Sequence, residues 1–551
     1  MADDTTNQGI PEPEGHSDII DTEYEIGQDN IETQIGPFGL DIHNPVFLIS
    51  GLAIIAFVFY TLALPEQAGE AFSWLFSAVT KGFDWFFLGA ADIFVLFCLM
   101  LLVTPLGGVR LGGADATPDY SYLGWIAMLF AAGMGIGLMF FGVSEPISHF
   151  SSSMGGTAAE GGARTDWAPL GAAAGDAIAA RDLGMAATIF HWALHPWAIY
   201  AVVALALAFF TFNRGLPLTL RSAFYPLIKD HSWGFFGHLV DIIAVVATLF
   251  GLATSLGFGA QQANAGLNHV FGVPVGPSTQ VMLITGITAI ALISVLRGLD
   301  GGVKVLSEIS MAIAALLLFF VLLAGPTMLI LTDFGEGLLA YLKEIVPLSN
   351  PVGREDTGFV QGWTSFYWAW WISWSPFVGM FIARVSRGRT VREFVICVLI
   401  IPSLVCVLWM AVFGGVAIDQ VLSDPATSAV KANVIDSYNP PLSLFAMLEG
   451  LPLAGITSVI GIVLVIVFFV TSSDSGSLVI DTITAGGKVD APVPQRVFWC
   501  VFEGAVAIVL LLSAGGLQSL QSMVISTGLP FTVVLLLMCW AIWKGLRAEP
   551  R

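Results

Sequence analysis

Charged residues are scarce in this sequence. They make up 11% of its 551 residues, against about 25% in a soluble domain. Hydrophobic residues make up 56%, and the mean hydropathy is +0.82. Water is excluded as the only solvent: a chain of this size cannot hide so much apolar side chain, so a bilayer must take that place. Basic residues are scarcer still, 21 against 41 acidic ones, for a net charge of −20. Nucleic acid needs clustered Lys and Arg and is excluded as a partner. Residues 1–42 hold eleven acidic side chains and no Lys or Arg, so they lack the positive start of a signal peptide. With few aromatics and no apolar periodicity, they are predicted to be a disordered acidic tail. The five cysteines form no CxxC pair and sit in or beside apolar runs, which reads as small buried hydrophobes rather than metal or disulfide chemistry. No nucleophile elbow, HExxH or P-loop occurs, so nothing marks an enzyme.

Long apolar runs are what the chain has instead. A spanning helix needs about 20 mostly apolar residues. Twelve such runs lie near 44–64, 84–106, 121–146, 187–212, 236–262, 277–296, 305–332, 360–383, 393–416, 452–477, 497–515 and 523–544. The predicted fold is an all-α integral membrane protein: a tail over 1–42, a transporter domain over 43–545, and a short end over 546–551. An even span count puts both termini on one side. Loops on that side hold fifteen basic residues and the opposite loops six, so the positive-inside rule places both termini in the cytoplasm, as for a multi-pass protein of a bacterial inner membrane. The segment 335–348 is amphipathic and too short to span, and is predicted to be an interfacial helix.

Two spans look breakable. The third contains Gly133-Met134-Gly135-Ile136-Gly137, whose alternating glycines let a helix unwind. The eighth contains Pro376 in mid-span, which removes a donor and kinks the helix. Helices that break at matching positions five spans apart suggest two inverted five-helix repeats, spans 3–7 and 8–12 or about 121–332 and 360–545, with substrate at the midplane. Glycines that merely pack helices closely explain the first break equally well. Aromatics concentrate in the same region. Trp371 and Trp374 share one face of span 8, while Trp192, Trp197 and Tyr200 of span 4 fall within roughly a 140° arc. Converging aromatic faces suit a methylated onium cation, which cannot donate ordinary N–H hydrogen bonds; belts and core packing use the same residues. His191 and His195, four apart, read as structural, since no third metal ligand is apparent nearby. The hydroxyls of Thr471-Ser472-Ser473 offer oxygen to a hard cation, or bond back to their own helix. Asp241, Glu308, Asp474, Asp481 and Glu503 lie in or near spans, where an acid defaults to function, but their partners are not legible.

At this point the sequence resembles the betaine/choline/carnitine transporter family. The resemblance is carried by AAGMGIGLMFFGVSEP (131–146), FHWALHPWAIY (190–200), WAWWISWSPFVGMFIARVSRGR (368–389) and TSSDS (471–475). It implies a LeuT-like inverted-repeat core, a homotrimer, and import of a zwitterionic onium solute, glycine betaine or dimethylsulfoniopropionate, by sodium symport. It implies a substrate box of Trp192, Trp197, Tyr200 and Trp371, with Trp370, Trp374 and Met134 beside it. It also implies one sodium ion held by backbone oxygens of Ala131, Met134 and Phe468 and the hydroxyls of Thr471 and Ser472. The family's second cation site uses two Thr four apart; here Thr248 is followed by Leu252, with Thr254 and Ser255 nearby. No Lys or Arg occurs between Lys229 and Arg297, whereas sodium-independent exchangers carry an Arg there. WKGLRAEPR (543–551) follows the last span where osmotically regulated members carry a long basic helix, so osmotic activation is not implied. The basic run from Arg384 to Arg392 suits the acidic tail or anionic lipid. Choline import, proton-linked, and carnitine exchange are the alternative transport readings; a channel or sensor is the alternative outside transport.

Overall fold

The computed structural model describes residues 11–36, 38–155, 165–171, 175–297, 304–489 and 491–549. Parts of the expected outer loop at 147–186 lie outside them. Almost every long apolar run becomes a helix, because only a helix satisfies its backbone without help from water. The helices are α1 (Val46–Ala63), α2 (Pro65–Val103), α3 (Tyr122–Gly133), α4 (Ile136–Ser153), α5 (Ala177–Trp192), α6 (Leu194–Phe212), α7 (Phe235–Phe271) and α8 (Pro277–Arg297). They continue with α9 (Lys304–Ala324), α10 (Thr327–Ser349), α11 (Ser365–Val385), α12 (Val391–Ser423), α13 (Ala454–Thr484), α14 (Val493–Leu512) and α15 (Leu517–Ala548).

Among the described residues, ten helices are long and apolar enough to cross a membrane, or eleven with α3 and α4 taken as one bent span. The eighth expected run is α11, a 21-residue helix whose Trp and Ser content leaves it out of that apolar set. It is nevertheless buried along most of its length. Segment 335–348 is helical, as part of α10. Its Leu339, Leu342 and Val346 are exposed, while Asp333, just before it in α10, pairs with Arg181.

The first predicted break is present. α3 stops at Gly133, Met134 is extended (φ −95°, ψ 132°), and α4 restarts at Ile136 with the axis bent by 60°. Of the three glycines, Gly137 has the clearest spatial reason: a Cβ there would stand 2.8 Å from Trp192 and 3.0 Å from Trp370. The second predicted break is absent, because α11 runs through Pro376. Proline cannot donate to the carbonyl four residues back, which is that of Ile372. The Ser375 hydroxyl donates to that carbonyl instead, at 2.6 Å. The missing bond is replaced locally and the helix survives.

The acidic tail also differs from expectation. Residues 30–43 form an antiparallel hairpin, Asn30–Ile35 against Phe38–His43, and the tail docks on the helix-connecting loops. Glu14 pairs with Arg387 at 2.6 Å and Asp18 with Arg214 at 2.9 Å. Lys488 takes Glu32 at 3.0 Å and Asp41 at 2.5 Å. Tyr24 stacks on Trp233 and accepts from Arg221. A segment that cannot bury a core of its own is held by cations that the membrane domain supplies. These contacts gather loops from both halves of the domain onto one face.

Candidate functional site

The bend between α3 and α4 opens on a cavity. Its walls are the turn from Ala132 to Leu138, then Trp192, Trp197 and Tyr200, then Trp370, Trp371 and Trp374, with Ser255 between them. Trp197 of α6 and Trp371 of α11 are far apart in sequence; the packing of α6 against α11 brings span 4 and span 8 face to face. Trp371 is the hub. Its ring lies 5.2 Å from that of Trp192 at 81°, 5.0 Å from Tyr200 at 61° and 6.1 Å from Trp197 at 60°. Trp197 and Tyr200 are 5.3 Å apart at 83°. Ring centres at these distances and inclinations are in edge-to-face or tilted contact. All four rings are buried.

Local sequence explains how span 4 presents these rings. Pro196 has no N–H for the carbonyl of Trp192, and the chain is irregular at Ala193 (φ −107°, ψ −116°), between α5 and α6. Trp192 closes one helix while Trp197 and Tyr200 sit in the first two turns of the next. Trp370 donates Nε1–H to Ser255 Oγ at 3.1 Å, and Trp374 donates to the Gly251 carbonyl at 3.0 Å. Trp371 Nε1 has no partner.

A group that sequence reading passed over orders this box. Glu145, fully buried, collects four donors. Trp192 Nε1–H reaches Oε2 at 2.7 Å and the Tyr367 hydroxyl reaches the same oxygen; His191 Nδ1–H reaches Oε1 at 2.6 Å and His149 Nε2–H at 3.2 Å. Thr364 meets the other side of His191 at 2.9 Å. Ligand atoms of Glu145, His149 and His191 lie within 4.8 Å of one another, close enough for a metal, though the hydrogen bonds already account for the carboxylate. His195 turns away to Asp92 at 3.0 Å, so His191 and His195 serve different partners. The signal for Glu145 was its place four residues before His149, on one helix face.

The expected sodium ligands fall on two elements. Ala131 and Met134 sit at the unwound end of α3, where Met134 N–H donates to the Ala131 carbonyl at 3.1 Å. Phe468, Thr471 and Ser472 sit in the unbroken α13, and Thr471 Oγ1 donates to the Phe468 carbonyl at 3.1 Å. The two elements converge on Gly259 of α7, where an added Cβ would meet Ile136 at 2.2 Å and Phe469 at 2.6 Å. At the second position, the Thr248 hydroxyl is buried without a partner, while Leu252 fills the space over Gly476. Thr254 and Ser255 bond back to the carbonyls of Phe250 and Gly251.

A multi-spanning helical membrane protein with an aromatic cavity at a broken helix has the architecture of a solute transporter. The particular family is shown by sequence: the model of the "BCCT, betaine/carnitine/choline family transporter" matches residues 45–551, and the chain belongs to that family. It is 64% identical, over 99% of its length and 97% of the relative's, to the glycine betaine/proline/choline transporter of Vibrio parahaemolyticus. It is 55% identical to glycine betaine transporter 1 of the same organism, over 96% of this chain and 98% of that one. The glycine betaine transporter of Acinetobacter baylyi is 42% identical over 92% of this chain and 74% of its own length. Members of this family are transporters, not enzymes, and the chain is a multi-pass membrane transporter.

Proposed function

We propose that the chain imports glycine betaine or dimethylsulfoniopropionate by sodium symport and alternating access, from a bacterial inner membrane with both termini in the cytoplasm. The observation that carries this reading is the convergence of Trp192, Trp197, Tyr200 and Trp371 around one cavity at the α3–α4 break. An onium head fits among the rings, where a desolvated cation–π contact contributes about 2 kcal/mol or more. The carboxylate of a zwitterionic solute then faces the start of α4, whose unpaired N–H groups and positive dipole end favour an anion. Sodium rides at Ala131, Met134, Phe468, Thr471 and Ser472. The core is an inverted pair of five-helix repeats, assembled as a homotrimer in contact with anionic lipid. The 64% identical relative is named for proline and choline as well as glycine betaine, which favours a box that accepts more than one small solute.

The test is uptake of radiolabelled glycine betaine into proteoliposomes, with and without an inward sodium gradient, against unlabelled dimethylsulfoniopropionate, choline, proline and carnitine. Accumulation driven by sodium is expected, with a zwitterionic onium as the best competitor. Equal uptake in both conditions would remove sodium coupling from the proposal.

A further inference from the structure

Glu145 and His149 stand four residues apart on one face of α4, and His191 lies opposite them in the last turn of α5. None of the three has any exposure. His149 Nε2, at 3.2 Å, and His191 Nδ1, at 2.6 Å, converge on a single oxygen, Glu145 Oε1. One ligand atom from each residue lies within 4.8 Å of the other two. Two imidazoles and a carboxylate drawn to one point are also what a divalent ion gathers. Zinc binds such nitrogens and oxygens at about 2.0–2.2 Å, so neighbouring ligands of a tetrahedral site lie about 3.3 Å apart. The His149 contact already has that separation. The His191 contact has to open by about 0.7 Å to reach it.

The far side of each ring suits the exchange of hydrogen bonds for metal bonds. A metal-bound imidazole carries its proton on the other nitrogen and usually gives it to an oxygen. His191 Nε2 meets Thr364 Oγ1 at 2.9 Å, and that hydroxyl oxygen accepts such a proton. His149 Nδ1 is buried without a partner, so no bond holds this ring as an Nε2–H donor. Two imidazoles select zinc, nickel or copper over calcium and magnesium, which prefer oxygen alone. His149 also meets Trp363 at 4.7 Å. Trp363 is partly exposed, so the site is one side chain from solvent.

We propose that Glu145, His149 and His191 form a binding site for a divalent transition-metal ion of the zinc class, and that the bound ion weakens solute binding in the neighbouring aromatic cavity. Binding replaces two N–H···Oε1 contacts by three metal–ligand bonds. Each ring moves its proton to its far nitrogen, so no proton is gained or lost. The link to the cavity is the other carboxylate oxygen. Glu145 Oε2 receives Trp192 Nε1–H at 2.7 Å and the Tyr367 hydroxyl, and Trp192 lines the cavity. A carboxylate drawn toward an ion through Oε1 shares its charge with that ion, and becomes a displaced and weaker acceptor for Trp192. The metal site stands on geometry alone; its effect on solute rests on the transport reading.

Cobalt(II) reads the site without transport. Full-length protein in detergent, free of any polyhistidine tag and stripped with chelator, is titrated with cobalt chloride. One equivalent per chain should bind with the visible absorption of a four-coordinate nitrogen–oxygen site, and zinc should displace it. His149→Gln should weaken binding by about 100-fold or more, and Thr364→Val, which removes the outer partner of His191, by about tenfold. No stoichiometric cobalt binding to the wild type, or unchanged binding in folded His149→Gln, overturns the site. If His149→Gln yields no folded protein, X-ray absorption at the zinc edge of the wild type decides: two imidazoles are expected, and a spectrum without them overturns the site. The second test is glycine betaine uptake into proteoliposomes. Saturating zinc should raise the wild-type KM about tenfold, chelator should restore it, and His149→Gln should respond less than about twofold. A wild-type KM that zinc leaves unchanged overturns the coupling. If liposomes take up no onium solute in any condition, the transport reading fails and the cobalt result still stands by itself.

Discussion

Glu145 and Glu503 are both carboxyl groups without solvent exposure inside the same helical bundle, and their surroundings are opposite. Glu145 receives two indole or phenol donors and two imidazoles. Neither oxygen of Glu503 has a partner in hydrogen-bond geometry, and Ser473 is the hydroxyl close enough to act on it. The difference separates two uses of a buried acid. A carboxylate whose lone pairs are all met is a scaffold: it holds Trp192 and Tyr367 at fixed angles, and through them one wall of the aromatic cavity. A carboxyl with so few donors in a low-dielectric interior holds nothing in place, and a charge on it is costly there.

The same substitution should therefore give contrary results at the two sites, and this is the largest effect expected. Glu145→Gln puts an amide N–H where a donor already points and removes the charge that the histidines answer. A loss of about 3–5 kcal/mol is expected, seen as a lower melting temperature in detergent and poor recovery of folded protein. Glu503→Gln keeps the size of the side chain and breaks no such set of bonds, so it should shift stability by less than about 1 kcal/mol. Equal losses at both sites would erase the distinction.

Next in size is Trp371→Leu. Its ring faces three others and its N–H is committed to nothing, so it is free for ligand in a way that Trp192 is not. Losing one desolvated cation–π contact of about 2 kcal/mol raises the uptake KM about 30-fold, with folded yield retained. A KM within twofold of wild type would place the onium elsewhere.

A third unmet group lies outside the spans. His43, at the end of the tail hairpin, is buried; neither ring nitrogen is hydrogen-bonded, and Nε2 stands 3.5 Å from Asp29. Burial, then the nearby Arg221 guanidinium, pushes its pKa down from 6.5 to about 3. Below 6.5 the undocked tail binds a proton that the docked tail refuses. Docking should weaken as pH falls from about 6.5 toward 3, by up to about 1.4 kcal/mol per pH unit. Hydrogen exchange of the hairpin amides reads this directly, and His43→Phe should blunt it. The smallest effect concerns satisfied but exposed pairs. Glu14→Gln with Asp18→Asn removes ion pairs whose acids are 46% and 62% exposed, and should loosen the tail by about 1 kcal/mol or less, less again in high salt. Protease nicking of the tail across salt concentrations measures it.

The membrane class and most of the spans were legible in sequence because apolar length is a one-dimensional property. The aromatic residues that meet at the cavity were legible too, since Trp192, Trp197 and Tyr200 cluster within nine residues and Trp370, Trp371 and Trp374 within five. The glycine break at 133–137 was predicted and found. The proline break was predicted and not found, because a neighbouring Ser375 hydroxyl replaced the lost bond, a compensation that residue type alone does not reveal. The tail was misread for a related reason. Composition reports that a segment cannot fold on its own, and says nothing about cations waiting on the surface it meets.

What the amino-acid sequence determined by itself, then, was where helices run and which residue types could recognise an onium solute, because both follow from local pattern. Only tertiary structure decided which acid is answered and which is left bare. Glu145 precedes its farthest partner by 222 positions, and the basic residue on the helix of Glu503, Arg496, is turned to Asp481. Partnership between buried polar groups is a property of helices meeting in space, and a single strand of letters does not contain those meetings.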